Sequence, residues 1–481
     1  MKTKDIIITW IISLFSTLII GVSIFYKLGH LPVLQTEARA AMNALDIINS
    51  GNLIDLQFKG KADLWNTKPP LLPILQAFWI KLLGWNEWAI RMPSVMANLG
   101  IVVTFLYFSR KYLYNIKIGL LSAVILFTTK LYVDTHISRT GDADALLCFF
   151  TFSAALLYFL FIRSNLKKNK YFFVCIMFIC LGGLTKGIAG LLILPGLLIY
   201  TLYKGKFLPI IKNKAIYIPI VMAFALFAVY YFSREMTTPG YLKAVFENEI
   251  GGRFFGIKHE KQPIWFYFGR IFSLDFFPWV LLLIPSFFFI NKRLQLQKDL
   301  VRFLFINIGG FLLIISLSQT KSYWNLAPTL PMFALLFAYT FFELVLNYFQ
   351  FSNQTEREKK GIVSIVLLCF LIPSCLFMFN RLNDEQPRNQ ADQYSFFVQT
   401  FMDKHKNYYI SNAGYPRISF YVEKAQNNGT TFVPIAPSQA KIGKRILICT
   451  DKDWAQIEGK FLYNIIQKQN DCALLEILKR I

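Results

Sequence analysis

The sequence predicts an all-α polytopic membrane bundle of about 11–13 transmembrane helices, each needing roughly 20 apolar residues to cross a bilayer, followed by a small α/β domain. Of the 481 residues, 55% are hydrophobic and only 16% are charged, far less charge than a soluble domain carries. Apolar runs recur along the whole chain. They cover residues 6–26, 88–108, 118–133, 143–162, 171–184, 188–203, 215–232, 271–290, 301–317, 326–346 and 361–378.

Two of these runs are short for a full crossing. Residues 171–184 and 188–203 form either two short spans or a re-entrant pair, and the sequence leaves both alternatives open. The topology downstream is the same in either case.

The net charge of +23 is distributed in a way that argues against a nucleic-acid partner. Lysine and arginine concentrate in every second connection between the apolar runs, which is the positive-inside pattern of membrane proteins. The pattern predicts a cytoplasmic N-terminus. It places the connections 27–87, 130–141, 233–270 and 319–325 outside, together with the tail from about residue 380.

The first external connection, residues 27–87, predicts two helices. Thr36 is a helix-capping residue type, an amphipathic run follows it, and Gly51 stands where that helix would end. Proline is favoured in a first helical turn, so Pro69 and Pro70 predict a second helix over 71–83. That helix is apolar on most of its surface, which places it in the membrane interface.

The polar tail predicts a second domain over residues 380–481, after a transmembrane domain over 1–379. A helix is predicted at 390–404 and strands at 408–411, 431–434 and 445–450. Cys449 and Cys472 both fall in this external tail, and the sequence leaves open whether they form a disulfide.

Lys68 is the first candidate binding residue. It stands just before a predicted helix N-terminus, where unpaired amides and the helix dipole favour an anion. At headgroup depth, a lysine in this position suits the phosphate of an amphiphile. The alternative is a lysine that only extends its ammonium to the interface.

Three acids on the predicted external side are candidate catalytic residues: Glu37, Asp142 and Asp144. A carboxylate at a membrane boundary is costly and often functional. Such a group can deprotonate a hydroxyl or stabilise a cationic sugar in the transition state. The structural alternative makes Asp142 a helix N-cap and Asp144 a residue of the first helical turn.

Further cations and aromatic residues are predicted on the same external side. Clustered cations suit phosphate oxygens, and no metal-ligand spacing appears among the four histidines. The candidates are Lys186, Arg253 and Lys321 for phosphate, and Arg39, Arg139, His259, Tyr323 and Trp324 for the wall of a substrate cavity.

The order of these motifs resembles a known family. The chain is similar to the GT-C superfamily of membrane glycosyltransferases, in the bacterial family 39 branch related to dolichyl-phosphate-mannose protein mannosyltransferases and to the aminoarabinose transferase that modifies lipid A. The segments that carry the resemblance are "TEARAAMNALDIINSGNLI", "NTKPPLLPILQAFWIKLLGWNEWAIRMPS", "SRTGDADALLCFF", "LTKGIAGLLILP", "RFFGIKHEKQPIWFYF" with "FPW", and "TKSYWNLAPTLP".

The resemblance implies an inverting transfer of one sugar from a polyprenyl-phosphate donor, such as an undecaprenyl phosphate sugar, to a lipid, protein or polysaccharide acceptor. It implies a multi-pass protein of the bacterial inner membrane whose active site faces away from the cytoplasm. Lys68 would hold the carrier phosphate. The sugar and the acceptor are not defined by the sequence.

Two positions depart from the family pattern. Thr36 replaces the aspartate of an Asp-Glu pair in the first loop, so Glu37, Asp144 or an already ionised acceptor remain as alternatives for the base. Thr67 replaces a glutamate that can contact a metal in the family, and the sequence leaves the metal requirement open.

Two other function classes agree less well with the sequence. A lipid or sugar transporter or flippase is expected to show internal repeats and charges at the bilayer midplane, and the sequence shows neither. A membrane scaffold whose tail binds a partner leaves the clustered external charges unexplained. The sequence therefore favours an enzyme.

Overall fold

The structure is a computed structural model that describes residues 3–481 except 135, 253–260, 274, 289–294, 384–389, 402–406, 411–415 and 428. Helices dominate it, as predicted. The α-helices are α1 (Thr3–Phe25), α2 (Gln35–Ser50), α3 (Leu71–Leu83), α4 (Glu87–Tyr112), α5 (Ile116–Thr128), α6 (Lys130–Val133), α7 (Asp144–Arg163), α8 (Asn169–Lys186), α9 (Leu194–Tyr203), α10 (Phe207–Lys212), α11 (Tyr217–Thr237), α12 (Tyr241–Val245), α13 (Phe266–Phe272), α14 (Leu283–Phe288), α15 (Gln295–Leu317), α16 (Leu330–Phe351), α17 (Glu356–Leu382), α18 (Gln390–Phe401), α19 (Pro416–Gln426) and α20 (Asp451–Ile457).

Seven helical segments in the described part of the chain are long and apolar enough to cross a membrane. They are Glu87–Tyr112, Asp144–Arg163, Asn169–Leu191, Lys214–Thr237, Lys298–Leu317, Tyr323–Phe351 and Glu356–Leu382. Five shorter apolar helices accompany them: Ser13–Phe25, Leu71–Leu83, Ile116–Thr128, Leu194–Tyr203 and Trp279–Phe288. The protein is therefore a multi-pass membrane protein.

The chain divides into two compact units. The first contains Met1–Tyr26, Asp63–Leu72 and Pro93–Asn383, and the second contains the remaining stretches Lys27–Ala62, Pro73–Met92 and Asp384–Ile481. We predicted one boundary near residue 380. The structure also groups two stretches of the first external connection with the C-terminal residues.

Helix α7 is the most enclosed part of the first unit. Its residues are apolar all round, and nearly all of them are buried, which is expected for a helix surrounded by other helices. Helix α17 is the opposite case. It is equally apolar but largely exposed, as expected for a helix that faces lipid. The N-terminal end of α7 is therefore held in a fixed position by its neighbours.

The second unit begins with α2, whose start corrects one prediction. The helix starts at Gln35, so Thr36 lies inside it and Leu34 is the N-cap residue. The side chain of Glu37 supplies the cap, because its Oε2 accepts the Leu34 backbone N–H at 3.1 Å. Gly51 ends the helix in the left-handed conformation (φ 71°), as predicted.

A mixed five-stranded sheet forms the rest of the second unit's framework. After the short pair β1 (Gln57–Phe58) and β2 (Lys61–Ala62), its strands are β3 (Asn407–Ile410), β4 (Thr431–Pro434), β5 (Arg445–Ile448), β6 (Phe461–Gln469) and β7 (Cys472–Arg480). The order is β4-β3-β5-β7-β6. β3 runs parallel to β4 and β5, whereas β7 runs antiparallel to β5 and β6.

Each face of the sheet contributes side chains to a core. Leu447 and Leu474 join a core that includes residues of α2 and α3, while Ile446 and Leu475 join a second core on the opposite face. This alternation follows from the two-residue period of a strand. The first-loop helices are thus part of the same folded unit as the C-terminal sheet.

The prediction for the tail missed its last hairpin. The predicted helix and strands correspond to α18 and β3–β5, but β6 and β7 were not predicted. Most of β6 is exposed, so it lacks a buried stripe that a sequence pattern would reveal. Cys449 and Cys472, whose pairing the sequence left open, form a disulfide that joins the end of β5 to the start of β7.

Candidate active site

A buried ion pair forms the centre of the candidate site in the first unit. The Nζ of Lys186, the last residue of α8, donates to Oδ1 of Asp144, the first residue of α7, at 2.5 Å. The two side chains are only 6% and 5% exposed. Burying either charge alone would be costly, so each stabilises the other.

A tight turn after α8 fixes the position of Lys186. Gly187 has φ 58°, a left-handed conformation that a residue with a side chain rarely adopts. Three residues later, a Cβ on Gly190 would lie 2.3 Å from the backbone of Gly182, so only glycine allows this turn to pack back on α8. The short segment 188–203 is thus a 3₁₀ turn, Gly187–Leu191, followed by the ten-residue α9.

The ion pair lines a cavity of about 80 Å³. Apolar side chains from α7, α15 and the turn at Gly187–Leu191 form most of its wall. Its polar lining residues are Asp144, Lys186, Glu249, Ser318 and Asn325. In an apolar cavity, charges act on a ligand more strongly than they do in water.

The chain before α3, residues 63–70, is here called the Lys68 segment, and it contacts residues of this cavity. The hydroxyl of Thr67 donates to Oε1 of Glu249 at 3.1 Å, and the hydroxyl of Tyr241 donates to the Thr67 carbonyl at 2.8 Å. On the other side of Lys68, the Pro69 ring lies against the turn, since a Cβ on Gly187 would be 3.8 Å from its Cδ. Lys68 itself is half-buried. Thr67 and Pro69, the two neighbours of Lys68, therefore contact residues at or next to the wall of the cavity.

Arg234 holds the same segment from α11. Its guanidinium lies over the Tyr241 ring, with Cζ 4.9 Å from the ring centroid, and it donates to the Asp63 carbonyl at 3.3 Å. The Asp63 carboxylate in turn accepts the backbone N–H groups of Trp65 and Asn66. These buried contacts give the polar chain before α3 a defined conformation.

Asp142 is paired with a histidine. Its Oδ2 lies 3.3 Å from Nδ1 of His136, and the His136 ring stacks on Trp324 with centroids 4.2 Å apart. The structural alternative considered for Asp142 is wrong: the residue before α7 is Ala143, and no side chain caps that helix. The alternative for Asp144 is correct as to position, because Asp144 does begin α7.

The turn before the 3₁₀ helix Tyr323–Thr329 carries Lys321. Its ammonium donates to the carbonyls of Gln262 (3.0 Å) and Ser318, and burial lowers its pKa. Ser318 lines the cavity, so Lys321 lies next to the cavity wall. The Tyr323 ring packs against the guanidinium of Arg270, with Cζ 5.3 Å from its centroid.

Two predicted residues serve the framework of the first unit. Arg139 is 2% exposed, and its guanidinium donates to the Tyr26 carbonyl at the end of α1. Trp324 contacts His136 and, through its edge, Tyr323. Their predicted place in a substrate cavity stays a prediction.

Glu37 and Arg39 lie in the second unit. Glu37 is fully buried, and its Oε1 accepts from Nε of Arg91 at 2.6 Å while Oε2 accepts from the second guanidinium nitrogen at 3.1 Å. Arg91 also donates to the Leu28 carbonyl. Arg39 lies over the Phe58 ring, with Cζ 4.6 Å from its centroid. These contacts give both residues a part in folding of the unit.

Two predicted residues, Arg253 and His259, lie outside the described residues. Within the described ranges, no group of three or more His, Cys, Asp and Glu side chains is arranged to hold a metal ion. The hydroxyl of Thr67, whose place in the family pattern left the metal requirement open, donates to Glu249.

Sequence reasoning missed four residues of this site: Glu249, Arg234, Tyr241 and His136. All four lie in connections that the sequence predicts to be external. Many other polar residues lie in the same connections, so position alone does not single these four out. Glu249 falls in a single π-helical turn, Phe246–Gly251, a feature often found at functional sites. Its partner Thr67 is 182 residues away in sequence, so no local pattern links them.

Comparison with known families confirms the resemblance seen in the sequence. Residues 67–232 match the profile of the family described as dolichyl-phosphate-mannose-protein mannosyltransferase. This stretch contains Lys68, Asp142, Asp144 and Lys186.

Solved structures confirm the fold. The crystal structure of ArnT from Cupriavidus metallidurans bound to undecaprenyl phosphate is 14% identical, with a TM-score of 0.70 over 99% of this chain and 98% of that chain. The same protein in the apo state is 13% identical, with a TM-score of 0.67 over 98% of each chain.

A sequence relative is an uncharacterized protein of Aquifex aeolicus (strain VF5). It is 27% identical over 348 residues, which are 72% of this chain. The match spans 64% of the length of that relative.

Proposed function

We propose that this chain, which resembles the dolichyl-phosphate-mannose protein mannosyltransferases over residues 67–232, is an inverting glycosyltransferase. It moves one sugar from a polyprenyl-phosphate donor to a lipid, protein or polysaccharide acceptor. The observation that carries the proposal is the cavity in which the Asp144–Lys186 pair and Glu249 lie beside the Lys68 segment.

Lys68 is the proposed phosphate-binding residue. It lies three residues before α3, where the helix dipole adds to its positive charge, and α3 is apolar enough to lie among lipid chains. The hydrogen bonds of Thr67 with Tyr241 and Glu249 support a fixed backbone position for the neighbouring Lys68. A donor with a charged phosphate and an apolar tail matches this combination. Lys186, Lys321 and Arg253 are proposed as further cations for the phosphate.

The acids are assigned by their surroundings. Asp144 lines the cavity and is proposed to stabilise the positive charge that develops on the sugar. Asp142 lies two residues earlier and is paired with His136. The two bonds from Arg91 to Glu37 favour a structural role for that carboxylate in the second unit.

We place the reaction on the non-cytoplasmic side of the bacterial inner membrane. Basic residues concentrate in the connections opposite to those that carry the site, as the positive-inside rule requires. The Cys449–Cys472 disulfide of the second unit supports an oxidising, extracytoplasmic compartment for that unit.

The test is a transfer assay with purified protein, a panel of polyprenyl-phosphate sugars and bacterial envelope lipids and glycans as acceptors. Lys68→Ala should raise the KM for the donor by about 10- to 100-fold, the loss expected for one charge-assisted phosphate contact of about 1.5–3 kcal/mol. The matched control is Lys81→Ala, which removes an exposed lysine from the last turn of α3 and should change nothing.

Equal donor KM values for Lys68→Ala and the wild type would overturn the phosphate role. Movement of intact donor across a vesicle membrane, with no glycosidic product, would support the transporter alternative instead.

A further inference from the structure

We propose that an apolar groove between α8 and α11 binds one anionic phospholipid from the leaflet on the basic side of the membrane. The phosphate of this lipid contacts a cluster of four lysines, and one of its acyl chains lies in the groove. The lysines are at the start of α8, about 25 Å along the helix from Lys186 at its end. The inference concerns a separate site and does not depend on the proposed function.

The lysine cluster comes from a tripeptide that occurs twice. Lys-Asn-Lys stands at residues 168–170, where α8 begins, and again at residues 212–214, just before α11. The structure brings the two copies together, because Nδ2 of Asn213 donates to Oδ1 of Asn169 at 2.9 Å. Each asparagine has a lysine on either side, so this hydrogen bond gathers four lysines: Lys168, Lys170, Lys212 and Lys214.

The positive charge of this cluster is not balanced within the protein. All four lysines are exposed, and among the described residues no carboxylate lies within 4.0 Å of their ammonium groups. Lys204 at the end of α9 is a contrasting case, since it is paired with Asp299 at 2.7 Å. Basic pockets between membrane helices bind anionic lipid headgroups. A zwitterionic headgroup carries its own cation and should therefore bind this cluster less tightly.

The groove has an apolar wall built from one face of each helix. Helix α8 contributes the residues at positions 173, 176, 177 and 180, and α11 contributes those at positions 219, 222, 223 and 226. In both helices the spacing is i, i+3, i+4 and i+7, which places the side chains on one face. The groove has a volume of about 170 Å³. Such a wall suits a hydrocarbon chain.

The groove opens towards lipid and has a limited length. Met177 and Met222 on its wall are 46% and 57% exposed, as expected for side chains that face lipid chains. Seven residues of helix extend about 10 Å, roughly two thirds of the 15 Å depth of one leaflet. Beyond the groove the helices meet, because a Cβ on Gly183 would lie 2.3 Å from Cζ of Phe227. This contact lies between the groove and the end of α8 that carries the candidate active site.

The lysines and the groove are spaced as one phospholipid requires. Lys170 precedes the first groove residue of α8 by three positions, and Lys214 precedes that of α11 by five. These separations correspond to about 5–9 Å along the helices. In a phospholipid the glycerol separates the phosphate from the acyl chains, so a single molecule reaches both features. A free phosphate ion would use the lysines alone.

The experiment measures lipid binding to the purified full chain in detergent by native mass spectrometry. The probes are phosphatidylglycerol, which is anionic, and phosphatidylcholine with the same acyl chains. The wild type should bind phosphatidylglycerol at least about 10-fold more tightly than phosphatidylcholine. The double variant Lys170→Gln/Lys214→Gln should weaken phosphatidylglycerol binding about 30-fold, because each lysine near an anionic lipid contributes roughly a factor of five.

A matched control separates a site from the general charge of the basic side. The double variant Lys117→Gln/Lys360→Gln removes the same charge from two exposed lysines at the starts of α5 and α17, and it should bind phosphatidylglycerol as the wild type does. A second variant, Ala223→Leu, leaves the four lysines in place and fills part of the groove. It should weaken phosphatidylglycerol binding several-fold, with the lipid-free protein unfolding at the wild-type temperature.

Three results would overturn the inference. The first is equal affinity of the wild type for phosphatidylglycerol and phosphatidylcholine. The second is an equal loss of binding in the two double lysine variants, which would assign the effect to the net charge of the basic side. The third is displacement of phosphatidylglycerol by equimolar undecaprenyl phosphate, which would assign the groove to the tail of a polyprenyl lipid.

Discussion

The Asp144–Lys186 pair gives the sharpest quantitative prediction. At 2.5 Å between Nζ and Oδ1, Coulomb attraction is about 7 kcal/mol with an effective dielectric constant of about 20. Desolvation of each ion costs several kcal/mol, which offsets most of that attraction. The intact pair therefore contributes little net stability, whereas loss of one partner leaves an uncompensated buried charge.

Lys186→Met should consequently destabilise the protein by about 3–5 kcal/mol, and Asp144→Asn should cost a similar amount. The double variant, which leaves neither charge, should cost less than the sum of the two single changes by several kcal/mol. All three variants should lose sugar transfer, because the site lacks its central charges in each.

The assay is a double-mutant cycle on unfolding of the purified protein in detergent micelles. Each variant is unfolded by denaturant, and the coupling energy is the difference between the double change and the summed single changes. Additivity within about 0.5 kcal/mol would show that the two side chains do not interact. Such a result would refute the ion pair and the candidate site built around it.

Two further predictions concern the elements around the site. Tyr241→Phe removes the 2.8 Å hydrogen bond to the Thr67 carbonyl. Loss of a hydrogen bond of about 1–1.5 kcal/mol should raise the KM for the donor about 5- to 10-fold. An unchanged KM would show that other contacts hold the Lys68 segment. Replacing Cys449 and Cys472 by serine removes a cross-link between two positions that are 23 residues apart in sequence. The change should destabilise the second unit by about 3 kcal/mol, as measured by denaturant unfolding with reduced wild-type protein for comparison. Equal stability of the oxidised and reduced wild type would contradict this prediction.

The membrane architecture was open to prediction because it depends on local composition. A span must be apolar along about 20 residues and basic residues collect on one side, and both properties are read directly from the chain. Helix α3 covers Leu71–Leu83 as the Pro69-Pro70 start predicted. The helix that ends at Gly51 was also recognised, since a glycine C-cap is a local feature.

Other elements depended on context that local patterns do not carry. The side chain that caps α2 is Glu37, which accepts the backbone N–H of Leu34 three residues earlier. Thr36, although threonine often caps helices, does not have this role. The hairpin β6–β7 is largely exposed on β6, so its strands lack the alternation that marks a half-buried strand.

The sequence alone determined which residue types stand at the ends of the apolar runs, and it predicted that cations and acids share one side of a membrane bundle. The tertiary structure decided the partners: Asp144 with Lys186, Asp142 with His136, and Thr67 with Glu249 and Tyr241. The physical reason is distance along the chain. Periodicity and capping act over a few residues, whereas these side chains meet only because helix packing and the glycine turn after α8 bring remote segments together.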